Sequence, residues 1–221
     1  MKPTIILVSS LALCLSTSAA ETISPDLKTL AESKDTKSYR ITTEWTSDDG
    51  GKPALKLKTT PGQDGFVILS GVTFTNGVIE FDAKGKSGPP QSNFMGIAYR
   101  VEDGTNYDTV YFRPFNFRAA EAEKRARAVQ YMSLPDWPWP RLRAERTGQF
   151  EKLIEPAPDG NAWFHAKVVI QKPKVTVFVN GANEPCLVVD ELTTRTGGSV
   201  GLWCNGFGSI ANLRMTPARS E

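Results

Sequence analysis

The chain holds one His, three Cys and almost no excess of charge, with 26 Lys and Arg against 24 Asp and Glu in 221 residues. One His excludes every metal site built on two or more imidazoles. Near-balanced charge gives no electrostatic reason to expect nucleic acid or an anionic membrane as partner. No Gly-x-Ser-x-Gly motif marks a serine nucleophile. No segment after the first fifteen residues is apolar enough for a membrane span. What is present is ordinary for a folded protein, with 40% hydrophobic and 10% aromatic residues. That argues against a disordered chain.

The start reads as an address. Lys2 precedes an apolar run over residues 4–15, and small residues then lead to Ala20 before Glu21. This is the pattern of a cleaved secretory signal over residues 1–20, with a single domain over 21–221. A lipoprotein signal at Cys14 is the alternative, but Leu13 precedes the Cys where a small residue is wanted. The expected location is secreted or periplasmic. There Cys186 and Cys204 meet an oxidising compartment and can pair as a disulfide, or sit as two buried thiols on neighbouring strands.

Runs rich in Val, Ile, Phe, Tyr and Thr recur between turn signals, which predicts an all-β sandwich or barrel. Strands are expected over 38–45, 54–59, 65–69, 77–83, 94–101, 107–113, 128–134, 163–171, 174–180, 186–189, 199–204 and 209–215. Residues 119–127 (AAEAEKRAR) favour a short helix. Residues 135–161 form a long Pro-rich insertion, functional or holding small elements of its own. Residues 141–149 can supply a helical turn or two.

Five segments carry a resemblance: FTNGVIEFDAKG (74–85), FMGIAYRVEDGTNYDTVYFRPFNFR (94–118), VQY (129–131), WFHAKVVIQKPKVTVFVNG (163–181) and GGSVGLWCNGFGSIANLRM (197–215). In order and pattern the chain resembles the concanavalin A-like lectin/glucanase superfamily. More narrowly it resembles the laminin-G-like and 3-keto-disaccharide hydrolase group, a glycoside hydrolase family 16-like relation. The resemblance implies a jelly-roll sandwich of two antiparallel sheets with the loop and short-helix insertion at one edge. It implies carbohydrate as the partner, met on a concave face; no cofactor is expected. The fold hosts both binding modules and enzymes, so activity must be argued from residues.

Within YFRPFNFR, Tyr111 and Arg113 share one strand face, and Val110 and Phe112 the other. Pro114 ends the ladder and leaves Asn116 and Arg118 on a rim loop. Arg100, Gln130 and Tyr131 are expected beside them, although Gln130 and Tyr131 point oppositely on a regular strand. These residues make either a polar ligand face or a buried Arg network. Trp137 and Trp139, held by Pro135, Pro138 and Pro140, make either sugar-stacking platforms or anchors for the insertion. Asp136 and Arg143 flank them.

Glu80 and Asp82 are the catalytic candidates, two carboxylates on one strand face. Family 16 glucanases use Glu-x-Asp-x-x-Glu, and the third carboxylate is missing here. Retaining hydrolysis needs two suitably spaced carboxyls, so these two read as ordinary strand residues. His165 reads as a surface strand His. The acidic stretch 102–108 departs from the EF-hand pattern, and its Asp-Gly is a hairpin signal first; calcium is the minor alternative there, which melting insensitive to a chelator would remove. The readings carried forward are a saccharide-binding domain, a glycosidic-bond-cleaving enzyme, and a structural or interaction domain without a sugar ligand.

Overall fold

In the computed structural model the chain is described over residues 21–60 and 62–218. The secretory signal expected over 1–20 lies outside the described residues. Thirteen strands follow in order: β1 (Ser38–Tyr39), β2 (Ile41–Thr46), β3 (Ala54–Thr59), β4 (Asp64–Phe74), β5 (Gly77–Lys84), β6 (Asn93–Val101), β7 (Tyr107–Phe112), β8 (Val129–Leu134), β9 (Glu151–Lys152), β10 (Phe164–Gln171), β11 (Lys174–Val179), β12 (Leu187–Asp190) and β13 (Gly198–Pro217). Three short helices accompany them: α1 (Leu27–Glu32), α2 (Ala122–Arg125) and α3 (Trp139–Glu145), with a 3₁₀ turn over Pro114–Asn116.

All pairings are antiparallel, and they form two sheets. Sheet A runs β2-β3-β13-β5-β10-β11-β12, and sheet B runs β1-β4-β13-β6-β7-β8-β9. Strand β13 belongs to both. Its first part pairs with β4 and β6, and its second part with β3 and β5. Two strands expected separately, 199–204 and 209–215, are therefore one strand that changes sheets. The change falls at Asn-Gly-Phe-Gly. Gly206 has φ +93°, and a Cβ there would lie 1.6 Å from the Ser92 carbonyl oxygen. Only glycine fits that combination of backbone sign and close approach.

Alternation sets what lies between the sheets. Phe81 of β5 meets Phe112 of β7 at 6.3 Å, and Phe164 of β10 meets Phe112 at 5.2 Å, centroid to centroid. Ile79, Val110, Ala166, Val168 and Leu202 are equally buried. Each of these side chains larger than Ala contributes roughly 1.5–3 kcal/mol by leaving water. Because Phe112 points inward, Tyr111 points outward from sheet B. Because Phe81 points inward, Glu80 and Asp82 point outward from sheet A. The sandwich thus has two outer faces with different chemistry.

The expected helices form, but shorter or shifted. The 119–127 stretch yields only α2, and the turn expected over 141–149 begins earlier as α3, with Pro140 in its first turn where the missing N–H costs nothing. The sequence reading did not anticipate α1. Asp26 caps it by accepting from the Lys28 and Thr29 amides.

Candidate functional site

The outer face of sheet B carries a groove of about 480 Å³. Its floor comes from β13, β6 and β7. The Tyr111 ring lies 4.8 Å from Trp203, and its hydroxyl donates to Gln130 Oε1 at 2.8 Å. Arg113 donates through Nη2 to Tyr111 Oη at 2.9 Å and to Gln130 Oε1, and through Nη1 to the Arg127 carbonyl at 2.9 Å. Its guanidinium sits 4.9 Å from the Tyr111 ring and 5.7 Å from Phe94. Burial pushes the Tyr111 phenol up to about 12 and pulls the Arg113 guanidinium below its ordinary value. At neutral pH Tyr111 is therefore a neutral phenol, fixed in direction by its acceptor.

The insertion builds one wall. Asn116, on the 3₁₀ turn after β7, donates to the Arg127 carbonyl at 3.1 Å. Trp139 opens α3 and is 45% exposed, unusual for a ring of that size. Arg143, one turn further along, lies 4.7 Å from the Trp139 ring. It makes a two-pronged bond to Glu151 of β9, at 3.0 and 2.7 Å. That carboxylate also lies 3.6 Å from both Arg113 and Arg127. Three guanidiniums therefore share one buried carboxylate. Hydrogen bonding to Glu151 raises the Arg143 value.

Asp64, at the start of β4, marks the far end of the groove and accepts from Asn205 Nδ2 at 2.8 Å. Burial raises its carboxyl above the ordinary range, and the Asn205 bond only partly offsets that. Phe94, Phe115, Ser92 and Gln91 line the span between the ends. Polar groups converging on an aromatic-lined groove are the usual anatomy of a small-molecule site.

The structure brings Tyr111, Arg113, Asn116 and Trp139 together here, with Gln130 directly beneath them. It takes the other expected residues elsewhere. Arg100 is fully buried, with φ +49°, and clamps Glu191 at 2.9 and 3.0 Å while also donating to the Thr196 carbonyl. It offers nothing to a ligand and instead fixes the 191–197 segment. Tyr131 faces the interior, donates to Asp108 at 2.7 Å and accepts from the Leu192 amide at 3.1 Å. Arg118 is exposed and donates to the Ala157 carbonyl, outside the groove. Trp137 is half-buried against the core, with Arg141 at 4.1 Å and Arg146 at 4.9 Å from its ring. It anchors the insertion, while its neighbour Trp139 stays open.

Glu80 and Asp82 lie on the other outer face. His165 Nδ1 is 2.9 Å from Asp82 Oδ1, and Nε2 is 3.4 Å from Glu80 Oε1. Lys52 at 2.5 Å and Asn212 at 2.7 Å take the other Asp82 oxygen. Burial alone would raise the Asp82 carboxyl, but bonds from Lys52, His165 and Asn212 hold it below the ordinary range. Two hollows of about 610 and 590 Å³ open on this sheet. Size does not decide between them and the groove. In the first, Asp49 is spent on Lys84 and Ser209; in the second, Asp82 is spent on Lys52, His165 and Asn212.

The disulfide considered for Cys186 and Cys204 does not form, and both thiols are free. Cys204 packs inside sheet B opposite Met95, whereas Cys186 lies beside β11 near the far edge of sheet A. Several strand spacings of about 4.8 Å separate such positions, beyond the reach of a disulfide. Burial raises both thiols, Cys186 to about 12. In the acidic hairpin, Asp103 spends both carboxylate oxygens on Thr105 and Asn106.

Sequence reasoning missed Asp64, Asn205 and Trp203. They come from three distant segments, and only the pairing of β13 with β4 and β6 unites them with Tyr111. Arg113, Arg127 and Arg143 stand far apart in sequence, and nothing local shows that they converge on Glu151.

No protein-family description matches the chain, and no curated protein matches it. Solved structures do. A carbohydrate binding module, CBM66 from Bacillus subtilis, superposes with a TM-score of 0.55, covering 80% of this chain and 96% of its own, at 13% identity. The VIP36 exoplasmic/lumenal domain, bound to Ca²⁺ and Man3GlcNAc, gives 0.53 over 82% of this chain and 84% of its own, at 9% identity. The Bacillus licheniformis β-glucanase gives 0.50 over 92% of this chain and all of its own, at 13% identity. The fold is the concanavalin A-like jelly roll expected from the sequence.

Proposed function

We propose that the groove on sheet B binds a saccharide. The observation that carries this is the open Trp139 ring beside a fixed set of polar groups, Arg113, Tyr111 and Asn116. A pyranose offers an apolar C–H face and a rim of hydroxyls, and an indole ring beside planar donors complements both. Neighbours of this fold named as a carbohydrate binding module, a saccharide-bound luminal domain and a glucanase support the reading. The apolar start of the chain supports export, so the saccharide would be met in a secreted or periplasmic setting. Glycan-array binding that Trp139→Ala reduces tenfold or more would bear this out. Binding unchanged by that variant would overturn it, and no binding at all would favour a structural or interaction domain.

One observation favours cleavage as a second reading. Asp64 is a carboxyl lining the groove whose pKa burial raises, the direction in which a carboxyl is tuned for general acid or base work. The other nearby carboxylate, Glu151, is bound up with three arginines. A mechanism needing a single base fits better than one needing two carboxylates. A 3-keto-disaccharide supplies such a case, because its carbonyl acidifies the neighbouring C–H. Release of reducing sugar that Asp64→Asn abolishes would establish this reading, and turnover retained by that variant would remove it.

A further inference from the structure

We infer that the groove selects an acidic saccharide, one carrying a carboxylate such as a uronate, with that carboxylate placed at the α3 end. This rests on the groove being the saccharide site and adds what distinguishes its ligand.

The argument is one of charge and position. The groove's lining holds four cationic side chains, Arg113, Lys124, Arg127 and Arg143, and one carboxylate, Asp64. The cations gather beside the insertion. Asp64 lies on β4, three strands away from β7, or about 14 Å at ordinary strand spacing. At that distance and in salt it neutralises little of the cluster. Among the described residues Glu151 is the one buried carboxylate the cations have, and it is shared by Arg113, Arg127 and Arg143. Lys124 and Arg127 also meet Glu121 and Glu123, whose side chains are 57% and 76% exposed. Exposed pairs of that kind add little and exchange readily with a ligand.

Donors are also left over. Arg143 spends Nε and Nη2 on Glu151, and among the described residues nothing accepts from its Nη1. Arg113 uses Nη1 and Nη2, and nothing described accepts from its Nε. A guanidinium fork with spare N–H groups matches a planar carboxylate, and charge-assisted bonds are about twice as strong as neutral ones. Arg143 also lies over Trp139. Arg143 covers one face of that indole, so a sugar meeting the exposed remainder of the ring has this guanidinium at its border, within reach of a carboxylate projecting past the ring edge. The net charge of the whole chain, +2, hides this local excess.

The test is a panel of uronate oligosaccharides, each set beside its carboxyl-reduced neutral counterpart, with binding followed by tryptophan fluorescence and calorimetry. The expected result is that uronate forms bind about tenfold or more tighter than their neutral partners. Raising the salt from about 50 mM to 0.5 M narrows that gap, and Arg143→Gln or the more exposed Arg127→Gln abolishes it. Melting curves of both variants check that the fold persists. Equal binding of neutral and acidic partners, lost in Trp139→Ala, overturns the charge inference and leaves the saccharide groove standing. Binding of no member, or binding insensitive to Trp139→Ala, overturns both.

Discussion

The two outer faces of the sandwich hold similar residue types and use them differently. On sheet A the polar groups satisfy one another: His165 lies between Glu80 and Asp82, and Lys52 and Asn212 complete Asp82. On sheet B three arginines crowd one carboxylate, a large ring stays open, and half-buried Asp64 keeps a raised carboxyl because Asn205, Arg40 and Tyr107 only partly offset its desolvation. A polar cluster that satisfies itself stabilises a scaffold, whereas one left unsatisfied is available to a ligand. The two aspartates show the difference in one property. Asp82 is shifted down and Asp64 up.

The largest expected effect tests a residue that sits in neither set. Arg100 and Glu191 are both fully buried in their side chains. Glu191→Ala strands the guanidinium and should cost about 3–5 kcal/mol in chemical denaturation. The binding constant of the protein that remains folded should not change. A variant that lost affinity but kept its stability would return Arg100 to the ligand face.

The two tryptophans give the next contrast. Trp139→Ala should weaken saccharide binding tenfold or more and leave the melting temperature nearly unchanged. Trp137→Ala should cost about 2–3 kcal/mol of stability, since its ring is half-buried under Arg141 and Arg146. Swapped outcomes would exchange anchor and platform.

The aspartates should show opposite pH dependence. Asp82 is lowered from 3.8, so its ionised form stabilises the fold above that pH. That contribution is lost as pH falls through the still lower folded value, and Asp82→Asn removes this acid-sensitive part. Asp64 is raised above 3.8, so its ionised form costs stability above the folded value. Asp64→Asn should therefore be more stable than the parent at pH 7, with the gain vanishing by about pH 3.8. Urea titrations across pH 3 to 7 would reveal parallel trends if the two faces were alike. The smallest effect belongs to Glu80→Gln. Among the described residues its side chain makes one polar contact, a 3.4 Å approach to His165, and a change within about 0.5 kcal/mol is expected, with binding intact.

Much of the fold was legible because alternation and turn chemistry are local. The strands over 54–59, 94–101 and 174–180 stand within a residue of their expected bounds. Local signals could not show that 199–204 and 209–215 join across two sheets, since Gly206 and Gly208 read equally well as a break. The site was legible in the same measure. Tyr111, Arg113 and Asn116 lie close in sequence and came out together. Arg100 was misplaced because its φ of +49° breaks the alternation on which its face was assigned. Asp64 carried no signal, because only long-range pairing brings it to the groove.

The most direct measurement is a crystal structure with a uronate oligosaccharide soaked in. A sugar ring stacked on Trp139, with its carboxylate on Arg143 and its hydroxyls toward Tyr111 and Asn116, is the predicted result. A ligand seated instead in the hollow between Trp45 and His165, with the groove on sheet B left empty, would contradict the assignment of the site to sheet B.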